Sequence, residues 1–231
     1  MRIPFDKKPA QIVCGGGSFA AHNAEADAAF GKLDPDIDGL PWCYVKSPQA
    51  VIWHGEPIRL RDIRHATRAK LERPYGTVSG EVELGVVIQG HPRSITPAEA
   101  RDYIRGFTIF NDISQRELFA SGYCASFTKG APTFSPIASW MLPRDEVTRP
   151  QNLAFELRVN GTPKMKGNLA EMIFSIEDLL SFISKSFDLG TGDIITTGSP
   201  PGFLGYHLEP GDIVECEIEQ IGILRNPVVF A

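Results

Sequence analysis

Between residues 81 and 230 the sequence is a series of short apolar runs, each closed by Gly, Pro or Asn: EVELGVVIQ, FTIFND, SWMLP, LAFELRVNG, DIITTG, IVECEIEQIG and NPVVF. Runs of this length, rich in Val, Ile and Phe and bounded by turn formers, are strands rather than helices. A chain punctuated in this way cannot fold as a helical bundle; it has to stack sheets around a core. Two helices interrupt the series. TPAEARDYIRG, residues 96–106, begins with Thr96, Pro97 and then Glu99, the pattern of a capping box. SIEDLLSFISKSF, residues 175–187, sets Ser175 ahead of apolar residues at 179, 180, 182 and 183, so one face is expected to pack on a sheet.

The fold class expected is therefore α+β and β-rich, and 231 residues at 42% hydrophobic content can bury one large domain with a small appendage. The appendage is residues 1–55. QIVC reads as a short strand, Gly15 to Gly17 interrupt it, and the alanines of AAHNAEADAAF favour a helix over about 18–30. A loop rich in Asp, Pro and Gly follows, and WCYVKSPQAVIW is extended with a break at Pro48. The charged stretch 59–73 separates this part from the rest, and with the boundary near residue 56 the larger β-rich domain is 56–231.

With 23 basic and 28 acidic residues the net charge is -5, and no Lys/Arg run forms a basic stripe, which argues against a nucleic-acid or membrane surface and for a small-molecule substrate. Cys14, Cys43, Cys124 and Cys216 lie far apart without a CxxC, so reduced thiols are expected. The N-terminal stretch has no apolar signal-like core, and no apolar run approaches the roughly 20 residues of a membrane span. The expected location is the cytoplasm.

Glu81 and Glu83 stand two apart on a strand that runs into Leu84, Val86, Val87 and Ile88, so both carboxylates leave the backbone on one side, beside residues destined for burial. With a third carboxylate they make a hard oxygen site for Mg²⁺, Mn²⁺ or Ca²⁺. Asp112, where FTIFND hands over from strand to loop, is the candidate. The alternative is a solvated acidic edge with Asp112 as a turn residue or cap.

His22 and Glu25 are three apart and share a helix face. They form either a proton-accepting dyad, in which the carboxylate fixes the imidazole, or an ordinary surface pair. The three glycines ahead of them can hinge a lid but match no phosphate-binding loop. Lys129 is a lone ammonium able to neutralise a substrate carboxylate. TTGSPPGFLG, residues 196–205, offers backbone N–H groups and the Ser199 hydroxyl, as an anion nest or as a plain turn. A GxSxG elbow is missing, which removes one common hydrolase design.

In order, GEVELGVVIQG, GFTIFNDISQRE, FTKGAPTFSPI, RVNGTPKMKGNLAEMIF, LGTGDIITTGSPPGFLG and LEPGDIVECEIEQIGILRNPV resemble the fumarylacetoacetate hydrolase family over about residues 75–229. CGGGSFAAHNAE is similar to a reduced form of that family's lid segment. The resemblance implies the mixed β-sandwich roll of that family's C-terminal domain, usually as a homodimer. It implies Mg²⁺ or Mn²⁺ on Glu81, Glu83 and Asp112, a lid dyad of His22 and Glu25, an active-site lysine at Lys129, and substrate contacts from Arg116, Gly198 and Ser199. The activity implied is hydrolysis of a C–C bond in a β-diketo 2-oxo acid, acylpyruvate-like or fumarylpyruvate-like. Decarboxylation, hydration or tautomerisation of 2-oxo acids draws on the same electron sink, and a non-catalytic metal-binding β protein is the reading from another class.

Departures from the family pattern carry information too. Phe119 stands where a Gln is common, and Gly17, Ser18 and Phe19 replace the usual Arg-Asn-Tyr of the lid. Met165 and Leu169 occupy places often held by Gln and Thr, and Pro132 one often held by Asp. These changes imply a less polar pocket than the family norm.

Overall fold

The computed structural model describes residues 1–31 and 39–231; the Asp/Pro/Gly loop expected after the first helix lies largely outside them. The strands are β1 (Ile3–Pro4), β2 (Ile12–Gly16), β3 (Trp42–Lys46), β4 (Val51–Trp53), β5 (Ile58–Leu60), β6 (Val78–Ser79), β7 (Val82–Ile88), β8 (Ile104–Asn111), β9 (Ser114–Gln115), β10 (Ser135–Ile137), β11 (Trp140–Pro143), β12 (Ala154–Val159), β13 (Thr162–Asn168), β14 (Ile194–Thr196), β15 (Ile213–Ile218) and β16 (Gly222–Phe230). The helices are α1 (Ala20–Phe30), α2 (Pro97–Ala100), α3 (Arg116–Ala120), α4 (Ala125–Lys129) and α5 (Ile176–Ser184). No helix among the described residues is long and apolar enough to cross a membrane.

One sheet runs in the order β1-β11-β8-β7-β14-β2-β3, with β10 and β4 attached through β8, and a second runs β13-β12-β15-β16-β5. Pairing is mixed: β7 with β8 is antiparallel, whereas β14 with β2, β10 with β4 and β16 with β5 are parallel. The sheets share one core in which Val86 and Phe107 of the first meet Leu157, Cys216 and Leu224 of the second. This is the β-rich α+β class expected from the turn-bounded runs, in the form of the roll that the resemblance implied.

The sequence expectations of 1–55 and 56–231 meet at the level of pairing. Within 1–55, β1 pairs with β11, β2 with β14 and β4 with β10, so this segment is joined to the rest through backbone ladders. Gly15 is required there: a Cβ on it would lie 2.8 Å from both the Leu179 side chain and the Thr196 carbonyl oxygen, where α5 crosses the sheet.

Three local expectations change. The helix read over 96–106 stops early, because Ile104 to Gly106 belong to β8 and pair with β7 and β11; the Thr96 capping box is present, but the sheet claims the segment after Tyr103. The strand β13 was not legible, since Pro163, Lys164, Lys166 and Gly167 are poor strand formers. It folds back on β12 through Asn160 and Gly161, both at positive φ, an Asn-Gly hairpin turn. Of the glycines at 15–17, the first two lie inside β2 and only Gly17 has positive φ (72°), so the freedom of a hinge narrows to one residue.

Candidate active site

The ends of four strands bring the site together. β7 and β8 are antiparallel with Val82 opposite Asn111, which sets Asp112 beside Glu81: the Asp112 N–H donates to the Glu81 carbonyl at 2.9 Å. β14 lies on the other flank of β7 and delivers Thr197, Gly198 and Ser199 to the same edge, where the Gly198 N–H donates to Glu83 at 3.3 Å. β2, parallel to β14, leaves the sheet there as well and leads through Gly17 into α1. Thirty residues of sequence between Glu81 and Asp112 thus become one hydrogen-bonded step.

Glu81, Glu83 and Asp112 are each at most 2% exposed, and one carboxylate oxygen from each lies within 4.8 Å of the others. Cations compensate two of them. Arg116 reaches Glu81 at 2.8 Å and also donates from Nε to Ser79 at 2.8 Å; Lys129 reaches Glu81 at 2.7 Å and Asp112 at 2.5 Å. Lys46, fully buried, pairs with Asp112 and donates to the carbonyls of Phe134 at 2.5 Å and Ile113 at 3.2 Å. The Tyr44 hydroxyl donates to the other Asp112 oxygen. Among the described residues Glu83 has no ion-pair partner.

That asymmetry sets the protonation states. Burial works against the Glu81 anion, yet Lys129 and Arg116 together hold its carboxyl well below the usual range. Burial, then the charges of Asp112 and Glu81, push Glu83 up to about 8. Lys129 is disfavoured by burial but held above the ordinary lysine range by Asp112 and Glu81, so it stays an ammonium. Burial and the neighbouring Asp112 raise the Tyr44 phenol, which stays protonated and able to donate.

The donor set fits a divalent cation. All three ligands are hard oxygens, and two metal–oxygen bonds of roughly 2.0–2.5 Å placed end to end span about the separation found here. Glu83 supplies the further reason: the three buried cations pair with Glu81 and Asp112, so Glu83 is the carboxylate whose charge a proton or a divalent cation meets directly.

Above the triad lies α1. His22 Nδ1 is 3.3 Å from both the Pro200 carbonyl and the Ser199 hydroxyl, and the ring stacks on Phe203 with centroids 4.5 Å apart. A carbonyl only accepts, so Nδ1 carries the proton and Nε2 keeps its lone pair. Burial lowers the His22 pKa, which keeps the ring neutral at neutral pH. Glu25 does not orient His22: its two oxygens accept from the Gly202 N–H at 2.6 Å and the Leu204 N–H at 3.1 Å, and no hydrogen bond joins the two residues. The dyad expected from spacing is therefore divided, with Glu25 tying α1 to the loop at 200–204.

A cavity of about 250 Å³ links these groups, lined by Glu81, Glu83, Arg116, Lys129, Gly198 and Ser199 at one end. Phe19 and Phe119 also line it, as the departures from the family pattern implied, whereas Met165 and Leu169 are buried in the core and do not reach it. Sequence reading missed Lys46 and Tyr44. Their signal was strand alternation: in β3 residues 42, 44 and 46 share a face, and a lysine on the same face as two aromatics is a candidate for burial.

Comparison with known proteins finds relatives along nearly the whole chain. An uncharacterized protein of Methanocaldococcus jannaschii is 38% identical over 221 residues, 96% of this chain and 84% of that protein. The oxaloacetate tautomerase YisK of Bacillus subtilis is 30% identical over 233 residues, 99% of this chain and 72% of that one. The crystal structure of 2-hydroxyhepta-2,4-diene-1,7-dioate isomerase from Mycobacterium marinum has a TM-score of 0.78 and 30% identity, covering 96% of this chain and 75% of that chain. The family model for the C-terminal domain of fumarylacetoacetate (FAA) hydrolase matches residues 11–229, and the chain belongs to the fumarylacetoacetate hydrolase family.

Proposed function

We propose that the chain is a divalent-metal-dependent hydrolase that cleaves a C–C bond in a β-diketo 2-oxo acid of the acylpyruvate type. The observation that carries this reading is the buried triad of Glu81, Glu83 and Asp112, one member of which lacks a cation, roofed by a neutral histidine. Those three residues would hold Mg²⁺ or Mn²⁺, with Ca²⁺ also compatible with the oxygen set. When bound, the cation supplies Lewis-acid stabilisation of negative charge developing on the 2-oxo acid.

The chain's own residues do the rest. Lys129 and Arg116 keep unused N–H donors beyond those given to the carboxylates and Ser79, and these face a substrate carboxylate or developing oxyanion. The Gly198 backbone and Ser199 hydroxyl border the same space. His22 Nε2 accepts a proton from water, whose oxygen attacks the distal carbonyl carbon. The C–C bond then breaks; its electron pair stays with the 2-oxo acid fragment as an enolate, which takes up a proton, while the acyl fragment leaves as a carboxylic acid. Glu25 serves by holding α1 closed on the 200–204 loop.

The test is ultraviolet absorbance of a panel of diketo acids with and without Mg²⁺. Metal-dependent loss of the enol band with pyruvate as product supports hydrolysis, and absence of turnover across the panel overturns it in favour of a binding protein. A second reading, tautomerisation or decarboxylation of oxaloacetate, is supported by the 30% identity to an oxaloacetate tautomerase along nearly the whole chain. Product analysis with oxaloacetate separates the two. The assembly proposed with either reading is a cytoplasmic homodimer, which light scattering of the purified protein tests for subunit number.

A further inference from the structure

The cavity has two ends of different chemistry. At the triad end stand its cations among the described residues, Arg116 and Lys129, both held by Glu81. The other end is reached along α1, whose inward stripe runs from His22 through Ala26 to Phe30. Eight residues at 1.5 Å each put Phe30 about 12 Å along the helix from His22. There its ring meets Phe119 of α3 edge-on, with centroids 5.2 Å apart. Trp42 and Ile173 continue the wall, and Ile173 remains 51% exposed although it lines the cavity.

The one charge at this end among the described lining residues is Asp27, one turn before Phe30. Among the described residues an anionic substituent placed here meets no cation and faces a carboxylate, a cost without compensation. An uncharged apolar substituent covers Phe30, Phe119 and Ile173 and gains the burial of their surface and its own.

We propose that the α1–α3 end of the cavity is a subsite for an apolar, uncharged distal group, so that the substrate is a 2-oxo acid bearing an alkyl or aryl acyl substituent rather than a second carboxylate. Phe30 and Phe119 are its specificity-determining residues. The inference rests on the reading that the triad end holds the 2-oxo-carboxylate, and the cavity of about 250 Å³ restricts the substituent to a small one.

The experiment titrates Mg²⁺-loaded protein calorimetrically with three 2-oxo acids that share a head group and cannot be hydrolysed: pyruvate, phenylpyruvate and 2-oxoglutarate. Phenylpyruvate is expected to bind at least about tenfold more tightly than pyruvate, the order of gain from burying one large apolar group, and 2-oxoglutarate no more tightly than pyruvate. Phe119→Gln is expected to shrink the phenylpyruvate-to-pyruvate ratio severalfold. If pyruvate binds but 2-oxoglutarate matches or exceeds phenylpyruvate, the apolar subsite is overturned while the head-group reading stands. An unchanged ratio in Phe119→Gln overturns the subsite's placement. If none of the three binds in the presence of Mg²⁺, the head-group reading falls and the subsite with it.

Discussion

Glu83 sits in β7, all seven of whose residues are buried, whereas His22 and Glu25 sit on α1, whose eleven residues are half-buried or exposed. The first region is locked by sheet ladders on both flanks and by the Lys46, Arg116 and Lys129 pairs. The second is held by few bonds: Glu25 to two backbone N–H groups, His22 to the Pro200 carbonyl and the Ser199 hydroxyl and on Phe203, and Phe30 on Phe119. Its N-terminus has no side-chain cap and its first turn no acid. Against this, α5 has the Ser175/Asp178 capping box and six buried residues. An eleven-residue helix with such sparse anchoring draws little stability of its own from its alanines and is placed to open locally. The acidic triad and its cations therefore sit in the rigid region and the proton-accepting histidine in the one that can move, which suits a site that has to admit a substrate and then close over it.

The largest expected effect breaks the movable half chemically. His22→Ala should lower turnover of an acylpyruvate by about 10²–10⁴-fold, the usual contribution of a general base, while Mg²⁺ affinity by calorimetry stays within a few fold. Turnover within tenfold of the parent enzyme would remove His22 from the chemistry. The next breaks the rigid half structurally. Lys46→Met leaves Asp112 with one buried cation fewer and should cost about 3–5 kcal/mol of unfolding free energy, read as a fall in Tm of roughly 10 °C in a chain of this size. A Tm within 2 °C, about 1 kcal/mol or less, would mean that the pair is not part of what holds the triad.

Glu25→Ala sharpens the comparison, because it separates a residue that acts beside His22 from one that holds the helix down. Loss of two hydrogen bonds to a charged acceptor, about 3 kcal/mol in all at the low end for such bonds, should speed hydrogen exchange of the α1 amides by about a hundredfold with global Tm nearly unchanged. Loss of turnover as deep as that of His22→Ala with α1 exchange unaltered would instead return Glu25 to the chemistry.

The two regions also differed in how far the sequence disclosed them. The triad was legible because strand periodicity sets Glu81 and Glu83 on one side and because the FTIFND run ends at Asp112. The pairing that joins them is a property of register, which spacing alone does not contain. Lys46 was hidden for another reason: VKSPQ reads as a surface turn, and only the contact with Asp112 explains why a lysine is buried there. On α1 the spacing of His22 and Glu25 was a true observation that pointed to the wrong bond. Helix neighbours share a face, but the N–H groups of Gly202 and Leu204, some 180 residues away, compete for the same carboxylate and win because a loop presents two unpaired donors at once.

The smallest expected effect is a slope, and it isolates the rigid half. The Glu83 carboxyl is raised from 4.5 to about 8 in the folded protein, first by burial and then by Asp112 and Glu81. Between these values the folded state keeps a proton that the unfolded chain has lost, so the metal-free protein should become less stable as pH rises through the window. Glu81 shifts the other way and acts below 4.5, where its stabilisation is lost as pH falls. His22, lowered from 6.5 by burial, removes stability as pH falls below 6.5. From pH 6.5 to 8 the Glu83 share of the decline cannot exceed about 1.4 kcal/mol per pH unit, one proton's worth, and the thiols of Cys14, Cys43 and Cys216, pushed up by burial, add to the decline toward pH 8. Saturating Mg²⁺ should remove the Glu83 share, since a cation on Glu83 displaces the proton, and Glu83→Gln should reduce the slope, with or without metal, to the part the thiols contribute. Denaturant unfolding at pH 6.5, 7.25 and 8 measures the slope directly. A metal-free protein equally stable at all three would mean that Glu83 is already ionised, and that Lys129 or Arg116 shields it through space despite making no ion pair with it.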